Sequence, residues 1–288
     1  MTDNYEIVRA SKDNIHYLFD YAEQEQWNPA LDDDKTFISA YPDAFYLGLL
    51  NGNPVSCLSA PVYQNSYAFI GYYIVAQPEN RHKGLGLLLW NHVFEQLESK
   101  GIINMGLNAL LVQADNYAKG GFKGTHKNLR YVYTVSGEEH APPEVLTTAS
   151  GKHQAITQFD GQFVPEKRPN FIKAWLHNNH AHHCHIQDEN GAIRAYGCIR
   201  KAAKCYRAGP LYADTLEQTV ALLHTLTAGL QKGEQVYMDI PDSNPYYLQF
   251  VKILNLSYAD FECLFMYRGT PPHFPKQKIF AVSTIETG

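Results

Sequence analysis

The sequence predicts an α/β (α+β) protein built on mixed, largely antiparallel sheets that are flanked by helices. Two observations support this prediction. In the first half, a strand, two helices, three strands, a helix, a strand, a short helix and a closing strand follow one another. In the second half, a strand, a long helix, a strand, a short helix and a strand repeat the end of that order. A mixed sheet with helices on both faces is the natural packing of such an order.

Local patterns assign the elements of the first half. Ser11 is a candidate N-cap for the first helix, and a turn containing Gly52 joins two strands of an antiparallel meander. The long helix begins at Leu85 and ends near Lys100 and Gly101, a pairing typical of a helix stop. Strands are predicted at residues 5–9, 44–50, 55–63, 67–76, 102–110 and 123–135, and a short helix at residues 113–120.

The second half begins after a polar, proline-containing stretch, residues 136–152. Residues 236–267 parallel residues 103–133 in their order of elements, so we interpret the halves as a diverged repeat. The expected organisation is a first domain at residues 1–136, a linker at 137–152 and a second domain at 153–288. Strands are predicted at residues 183–187, 192–200, 206–212, 235–240 and 258–267, and helices at 170–176, 215–230 and 245–252.

Composition excludes several classes of protein. The chain has 288 residues, 45% of them hydrophobic and 13% aromatic, which indicates an ordered globular protein. A formal net charge of −5 gives no electrostatic signature of nucleic-acid binding or of an anionic membrane surface. We therefore expect neither partner, and any anion site must be local.

The N-terminal segment and the cysteines predict a cytoplasmic protein. Residues 1–6 lack the basic and apolar regions of a signal peptide, and no apolar run is long enough to span a bilayer. The five cysteines are scattered and form no C-x-x-C pair, which fits reduced thiols better than disulfides.

The most informative stretch is the basic loop at residues 81–86, which joins the strand at 67–76 to the long helix. A helix N-terminus presents unpaired N–H groups and the positive end of the helix dipole, so it suits a phosphate oxygen. Gly84 and Gly86 have no Cβ and let the backbone approach a ligand. Neither the Walker nor the Rossmann glycine spacing is present. A pyrophosphate site and an ordinary basic turn both stay open from the loop alone.

The pattern Arg81-x-x-Gly84-x-Gly86 after a strand, followed downstream by Tyr117 and Gly121-Phe122, resembles the GNAT superfamily of N-acetyltransferases, which use acetyl-coenzyme A. The glycine loop is the superfamily's most specific motif, and the short helix ending in Tyr before Gly-Phe is its second. Residues 25–29, 69–75 and 286–288 further resemble a two-domain bacterial subgroup whose substrates are mostly undefined.

The resemblance implies where acetyl-CoA binds. The main chain of the strand would pair with the pantetheine arm, and the loop backbone would hold the pyrophosphate, with Arg81 or Lys83 near the phosphates. No metal is implied. The implied residues are Tyr73, Ile74, Val75, Arg81, His82, Lys83, Gly84, Leu85, Gly86 and Leu87.

Acetyl transfer in this superfamily is direct attack by a neutral amine on the thioester, which needs a base, oxyanion donors and an acid for the thiolate. Tyr117 matches the acid, although a core-packing tyrosine would have the same position. The base stays open among Glu23, Glu25 and Asp32, each of which could instead be a solvated surface charge. Tyr63 or Tyr72 could relay a proton through water.

Asn108 stands at a strand end where this subgroup often has Asp. Because an amide cannot act as a base, Asn108 is a candidate only for a hydrogen bond to the substrate. The candidate acceptor-binding residues are Trp27, Asn28, Tyr63, Tyr72 and Asn108.

The second half has one glycine at residues 208–214 and no matching loop, so we expect it to keep the fold without a cofactor site. It would serve as a structural partner or complete the acceptor pocket, with Arg200, Arg207 and Asp239 at strand ends. The histidine-rich residues 177–185 could ligate zinc, but their setting favours a solvent-facing connection.

Two functions stay open. The first is an N-acetyltransferase that moves an acetyl group from acetyl-CoA to a primary amine of a small acceptor, as a monomer or homodimer. The second is a catalytically silent acyl-CoA-binding or sensory protein that retains the glycine loop.

Overall fold

The computed structural model describes residues 4–288. Residues 1–3, the start of the N-terminal segment that lacks the features of a signal peptide, lie outside the described residues. The first half contains β1 (Tyr5–Arg9), α1 (His16–Gln24), α2 (Asp33–Ala40), β2 (Phe45–Leu50), β3 (Asn53–Ser59), β4 (Val62–Tyr63), β5 (Tyr67–Val75), α3 (Leu85–Ser99), β6 (Asn104–Leu110), α4 (Ala114–Lys119) and β7 (Lys123–Thr134).

The second half begins with elements that the sequence did not predict, β8 and α5. It contains β8 (Leu146–Thr147), α5 (His153–Asp160), α6 (Pro169–Trp175), β9 (Ala181–Gln187), β10 (Ile193–Lys201), β11 (Tyr206–Ala213), α7 (Leu216–Thr227), β12 (Gln235–Pro241), α8 (Tyr247–Ile253), β13 (Ser257–Arg268) and β14 (Ile279–Ala281). No helix within residues 4–288 combines the length and the apolar character needed to cross a membrane.

All strands of the two halves belong to one mixed, mostly antiparallel sheet of 14 strands. Its order is β1-β2-β3-β5-β6-β13-β7-β12-β11-β10-β9-β8, with β4 paired to β5 and β14 paired to β11. The predicted meander is β2-β3-β5, antiparallel throughout. The predicted fold class is confirmed.

The two halves exchange long strands at the centre of this sheet. The 12-residue strand β13 of the second half pairs with β6 of the first half. The final strand of the first half, β7, pairs with β12 of the second half. The exchanged strands also pair with each other. Each half therefore completes its sheet with a strand from the other, and the domain boundaries near residues 136 and 153 stay a prediction.

Three apolar clusters hold the layers together. The first lies between α3 and the sheet, where Leu89, Val93 and Leu97 recur at helical spacing on the buried face. The second lies under α7 in the second half. The third joins the halves, because Phe37 of α2 stacks on Trp175 of α6 with ring centroids 6.3 Å apart.

Candidate active site

The site begins where the parallel strands β5 and β6 separate. They are paired from Tyr67 opposite Asn104 to Ile70 opposite Leu107, and no further. On its other side β5 pairs with β3, with a register shift around Tyr72. Tyr72 has φ of 46°, a conformation that bulky residues rarely adopt and that is common at functional sites. Beyond Ile70, the edge of β5 that faces β6 is therefore open.

A cleft of about 590 Å³ occupies this separation. Tyr72 and Tyr73 of β5 and Asn108 of β6 line it, and Trp27 reaches it from the loop between α1 and α2. Tyr117 of α4 and Glu286 also line it. Five of the predicted site residues, Tyr72, Tyr73, Trp27, Tyr117 and Asn108, thus meet in one cleft.

The basic loop leaves the start of α3 open. Gly84 adopts φ of 81° as the N-cap and supplies no side-chain hydrogen bond. Within the described residues, the N–H groups of Leu85, Gly86 and Leu87 have no hydrogen-bond partner, because the first helical bond comes from Leu88 to Gly84. A Cβ on Gly84 would meet nothing within 4 Å. The helix start is therefore accessible to an anion.

Gly86 lies at the contact between α3 and β5. A Cβ built there would lie 2.9 Å from the hydroxyl of Tyr73 and 3.0 Å from Cγ2 of Val75. Gly86 is buried, and its missing side chain lets α3 pack closely on β5.

The two cations of the loop, Arg81 and Lys83, differ in their partners. Arg81 forms an ion pair with Glu25, and its Nε donates to the carbonyl of Val75 at 3.0 Å. Lys83 is exposed and forms no ion pair within residues 4–288. Lys83, rather than Arg81, is the cation available to a phosphate.

Tyr117 lies on the α3 side of the cleft. Its ring packs 5.5 Å from Trp90 and 6.5 Å from Tyr73. Burial raises the pKa of the Tyr117 phenol, which stays protonated at neutral pH. Its hydroxyl has no hydrogen-bond partner within residues 4–288, so it is free to donate a proton or a hydrogen bond.

Glu286 is the acidic group that the sequence analysis missed. Its side chain is 7% exposed, it lines the cleft, and its carboxylate has no hydrogen-bond partner in the described part of the chain. Burial raises the pKa of this carboxyl, against the opposing effect of Arg207. No local pattern marks it, because residues 283–288 reach the cleft only through the tertiary fold.

Glu286 and Tyr117 lie on opposite faces of the sheet. Leu107 of β6 packs in the apolar cluster that Tyr117 contacts. The next residue, Asn108, donates from Nδ2 to the carbonyl of Ile285 at 2.8 Å, beside Glu286. Because neighbouring strand residues face opposite sides, the cleft has the protonated phenol of Tyr117 on one face and the carboxyl group of Glu286 on the other.

The carboxylates named from the sequence as possible bases do not line the cleft. Glu23 is exposed, Glu25 pairs with Arg81, and Asp32 pairs with Lys35. The structure therefore brings none of these three carboxylates to the cleft, although the loop between α1 and α2 brings Trp27 there.

Two candidate acceptor residues lie outside the cleft. Asn28 donates from Nδ2 to the sulfur of Cys205 at 2.7 Å, so it joins the loop to the second half. Tyr63 donates to the carbonyl of Thr287 at 2.5 Å and lines a neighbouring cavity.

Comparison with known proteins identifies the family. Residues 5–122 match the acetyltransferase (GNAT) family, and residues 156–281 match the acetyltransferase (GNAT) domain. The holothin acyltransferase of Pseudoalteromonas sp. (strain SANK 73390) is 30% identical over 279 residues, which cover 97% of this chain and 93% of that protein. This chain is a GNAT acyltransferase. Its family uses an acyl-CoA as co-substrate.

Solved structures share the fold of this GNAT acyltransferase. A Pyrococcus horikoshii protein classed as an acetyltransferase matches 99% of this chain and 96% of its own, with a TM-score of 0.81 at 19% identity. A tandem GNAT protein from the clavulanic acid biosynthesis pathway matches 94% of this chain and 100% of its own, with a TM-score of 0.64 at 13% identity. The predicted tandem of two GNAT domains is confirmed.

The second GNAT domain has neither an uncapped helix start nor an open separation between its parallel strands, both of which the first domain has. The start of α7 is capped, because Thr215 accepts from the N–H of Gln218 while the Gln218 side chain accepts from the N–H of Asp214. The strands β11 and β12 are paired at only two positions, Tyr206 and Arg207, before they separate. The strand β14 pairs with β11 beyond this point, so the chain itself fills the second cleft.

A buried ionic cluster from both halves fixes the loop beside the first cleft. Arg130 and Arg207 both form ion pairs with Asp239 and both donate to the carbonyl of Trp27. Burial would raise the pKa of the Asp239 carboxyl, but the two guanidinium groups lower it overall. Arg207 and Asp239 of the second half therefore support the cleft wall that carries Trp27.

The histidine-rich segment is solvent-facing only in part: His177, His180 and His182 are exposed, whereas His183 and His185 are buried. The two ring nitrogens of His183 are hydrogen-bonded to Tyr196 at 2.9 Å and to the carbonyl of Trp175 at 3.1 Å. Burial lowers the pKa of His183 to about 4. Within residues 4–288 no group of three or more His, Cys, Asp or Glu side chains could hold a metal ion.

Proposed function

We propose that this GNAT acyltransferase transfers an acetyl group from acetyl-CoA to a primary amine of a small acceptor by direct attack. The observation that carries the proposal is an uncapped helix start at one end of an open cleft between β5 and β6. Unpaired N–H groups and a helix dipole favour a pyrophosphate there. No observation on the structure favours the alternative, a catalytically silent acyl-CoA-binding or sensory protein.

The acetyl-CoA residues follow from this geometry. The N–H groups of Leu85, Gly86 and Leu87 would hold the pyrophosphate, with His82, Lys83 and Gly84 around it. The open edge of Tyr73, Ile74 and Val75 would pair with the pantetheine amides. Arg81 would act indirectly, by fixing the loop to Glu25 and Val75. The pantetheine would thus run along the cleft from the loop towards Tyr117.

Glu286 and Tyr117 supply the acid–base groups. Glu286 would take the proton from the attacking amine, because it is the carboxylate that lines the cleft. Tyr117 would donate to the departing sulfur from the other face of the sheet. Asn108 and Trp27, at the wall between them, would contact the acceptor. Tyr72 fixes the bulge that opens the strand edge.

The related holothin acyltransferase acts, by its name, on holothin. We infer from this only that a small molecule is the acceptor here. The five cysteines are all free and buried, which supports a reducing, cytoplasmic setting. A monomer or homodimer is consistent with one open cleft per chain.

Release of free thiol from acetyl-CoA, measured across a panel of primary amines, tests the function. We expect amine-dependent release, and we expect Tyr117→Phe to lower kcat by about 100-fold, the usual effect of losing a general acid. Acetyl-CoA affinity, measured by calorimetry, should stay within about twofold because the ring remains. Tight acetyl-CoA binding with no release from any amine would refute the proposal, and an unchanged kcat would remove Tyr117 from the mechanism.

A further inference from the structure

A second cavity of about 650 Å³ lies next to the cleft, on the face of the sheet that carries Glu286. This aromatic cavity is lined chiefly by Tyr63, Tyr67, Phe69, His126, Phe265 and Phe274. The structure brings these rings together from both halves of the chain, so the cavity exists only in the tandem.

A thin partition separates the aromatic cavity from the cleft. Asn108 lines both spaces, and residues 283–288 run between them. Ile285 and Glu286 face the cleft, whereas Thr287 and Gly288 face the cavity. Asn108 therefore contacts both spaces, and its hydrogen bond to Ile285 lies next to Glu286 in the chain.

The walls of the aromatic cavity suit a flat ring. Phe265 packs near Phe69, Phe274 and His126, at centroid distances of 6.5, 6.1 and 5.1 Å. Tyr63 and Tyr67, which also line the cavity, stack with their ring centroids 6.0 Å apart. Such ring surfaces favour offset-stacked and edge-to-face contacts with another aromatic group.

The cavity also disfavours a charged ligand. Its lining contains no acidic side chain among the described residues, and burial lowers the pKa of His126 to about 4, so this imidazole is neutral. The remaining cation, Lys276, is exposed at the rim. An ammonium group would lose its hydration here without a counter-charge, which is costly.

Unpaired polar atoms argue against a purely aliphatic ligand. The carbonyl of Ile285 can only accept, so Asn108 donates its Nδ2 to it and accepts from Nδ2 of Asn128 at 2.9 Å. This order leaves Oδ1 of Asn128 buried without a donor, and the hydroxyl of Tyr67 is also unpaired within residues 4–288. An alkyl chain would leave both atoms unsatisfied, whereas a ligand N–H would satisfy Asn128.

We propose that the aromatic cavity binds the acceptor and that the acceptor is an uncharged, planar aromatic amine with its N–H group at Asn128 and Asn108. The proposal rests on the proposed function. In the transfer, the amine nitrogen bonds to the acyl carbon as the carbon–sulfur bond breaks. The amine proton passes to Glu286, and the thiolate takes a proton from Tyr117, so the products are the amide and the free thiol.

The binding test uses the full chain without acyl-CoA. The probes are 4-methylaniline, which is flat and uncharged at neutral pH, and cyclohexylamine, which is similar in size but puckered and protonated. We expect calorimetry to show binding of 4-methylaniline about tenfold tighter or more. Ser243 lines the cavity, so Ser243→Trp should weaken this binding by about tenfold. Asn190→Trp, at an exposed turn, is the matched control and should bind as the wild type does.

Equal affinity for the two amines, or no effect of Ser243→Trp in a protein that still melts and binds acetyl-CoA as the wild type does, would overturn the assignment. If Ser243→Trp changed the preference between acetyl-CoA and butanoyl-CoA but left the KM for the amine unchanged, the cavity would hold the acyl chain instead of the acceptor. Thiol release with cyclohexylamine but not 4-methylaniline would overturn the cavity assignment alone. No release with any amine would overturn the proposed function itself.

Discussion

At the scale of residues, the cleft depends on two groups whose protonation is set by burial. Tyr117 was found from the short motif at the end of α4, because the motif is local. Glu286 could not be found in this way, because the cleft residues Trp27, Asn108 and Tyr117 lie far from it along the chain and no sequence pattern links them. Its burial and its free carboxylate became visible only in the fold.

Glu286 predicts a specific pH dependence. A base must be ionised to act, and burial raises the pKa of this carboxyl above its ordinary value of 4.5. The kcat/KM of the wild type should therefore rise with pH through a pKa above 4.5 and then level off. Glu286→Gln should lose this rising limb and about 100-fold in kcat/KM.

The matched control for that pH profile is Glu23→Gln, because Glu23 is exposed and lies outside the cleft. It should keep the rising limb of the wild type. If Glu286→Gln retained the limb with an undiminished rate, another group would be the base. Acetyl-CoA affinity should be similar in all three proteins, which separates proton transfer from binding.

At the scale of elements, the strand-loop-helix unit of the first half was predictable because its signals are local. The β-branched run of β5, the glycine loop and the apolar period of α3 each lie within a few residues. What the local pattern could not separate were the roles of the two glycines. Gly84 is open to ligand, whereas Gly86 permits close packing on Tyr73, and only the three-dimensional contacts show this.

Gly84 predicts how the helix start binds acetyl-CoA. Gly84→Glu should weaken acetyl-CoA affinity by about tenfold or more, because a carboxylate placed beside the pyrophosphate repels it. Gly52→Glu is a close control, since Gly52 has φ of 82° and a Cβ there also meets nothing within 4 Å. Both variants carry the same backbone strain and the same added charge. Calorimetry should show the loss only for Gly84→Glu, and equal affinities would refute the pyrophosphate site.

At the scale of the whole molecule, the halves were recognisable as a repeat, but their connection was not. The order strand, helix, strand, helix, strand is readable in each half because hydrophobic periodicity is local. The exchange of β7 and β13, and the filling of the second cleft by β14, depend on pairings between distant segments. Such pairings leave no trace in a short window of sequence, so the sequence predicts a mixed sheet for each half but not that the two join into one.

The exchange of strands predicts that the halves unfold together. Leu222 of α7 is fully buried in the second half, and Leu222→Ala should cost about 2–5 kcal/mol. Because β6 needs β13 as its neighbour, the loss should appear equally in residues 104–110 of the first half. Urea unfolding followed by hydrogen exchange and mass spectrometry would measure both halves in one sample. Leu248→Ala, at an exposed position of α8, should change neither by more than about 0.5 kcal/mol. A wild-type midpoint for residues 104–110 in Leu222→Ala would mean that the halves fold independently despite the shared sheet.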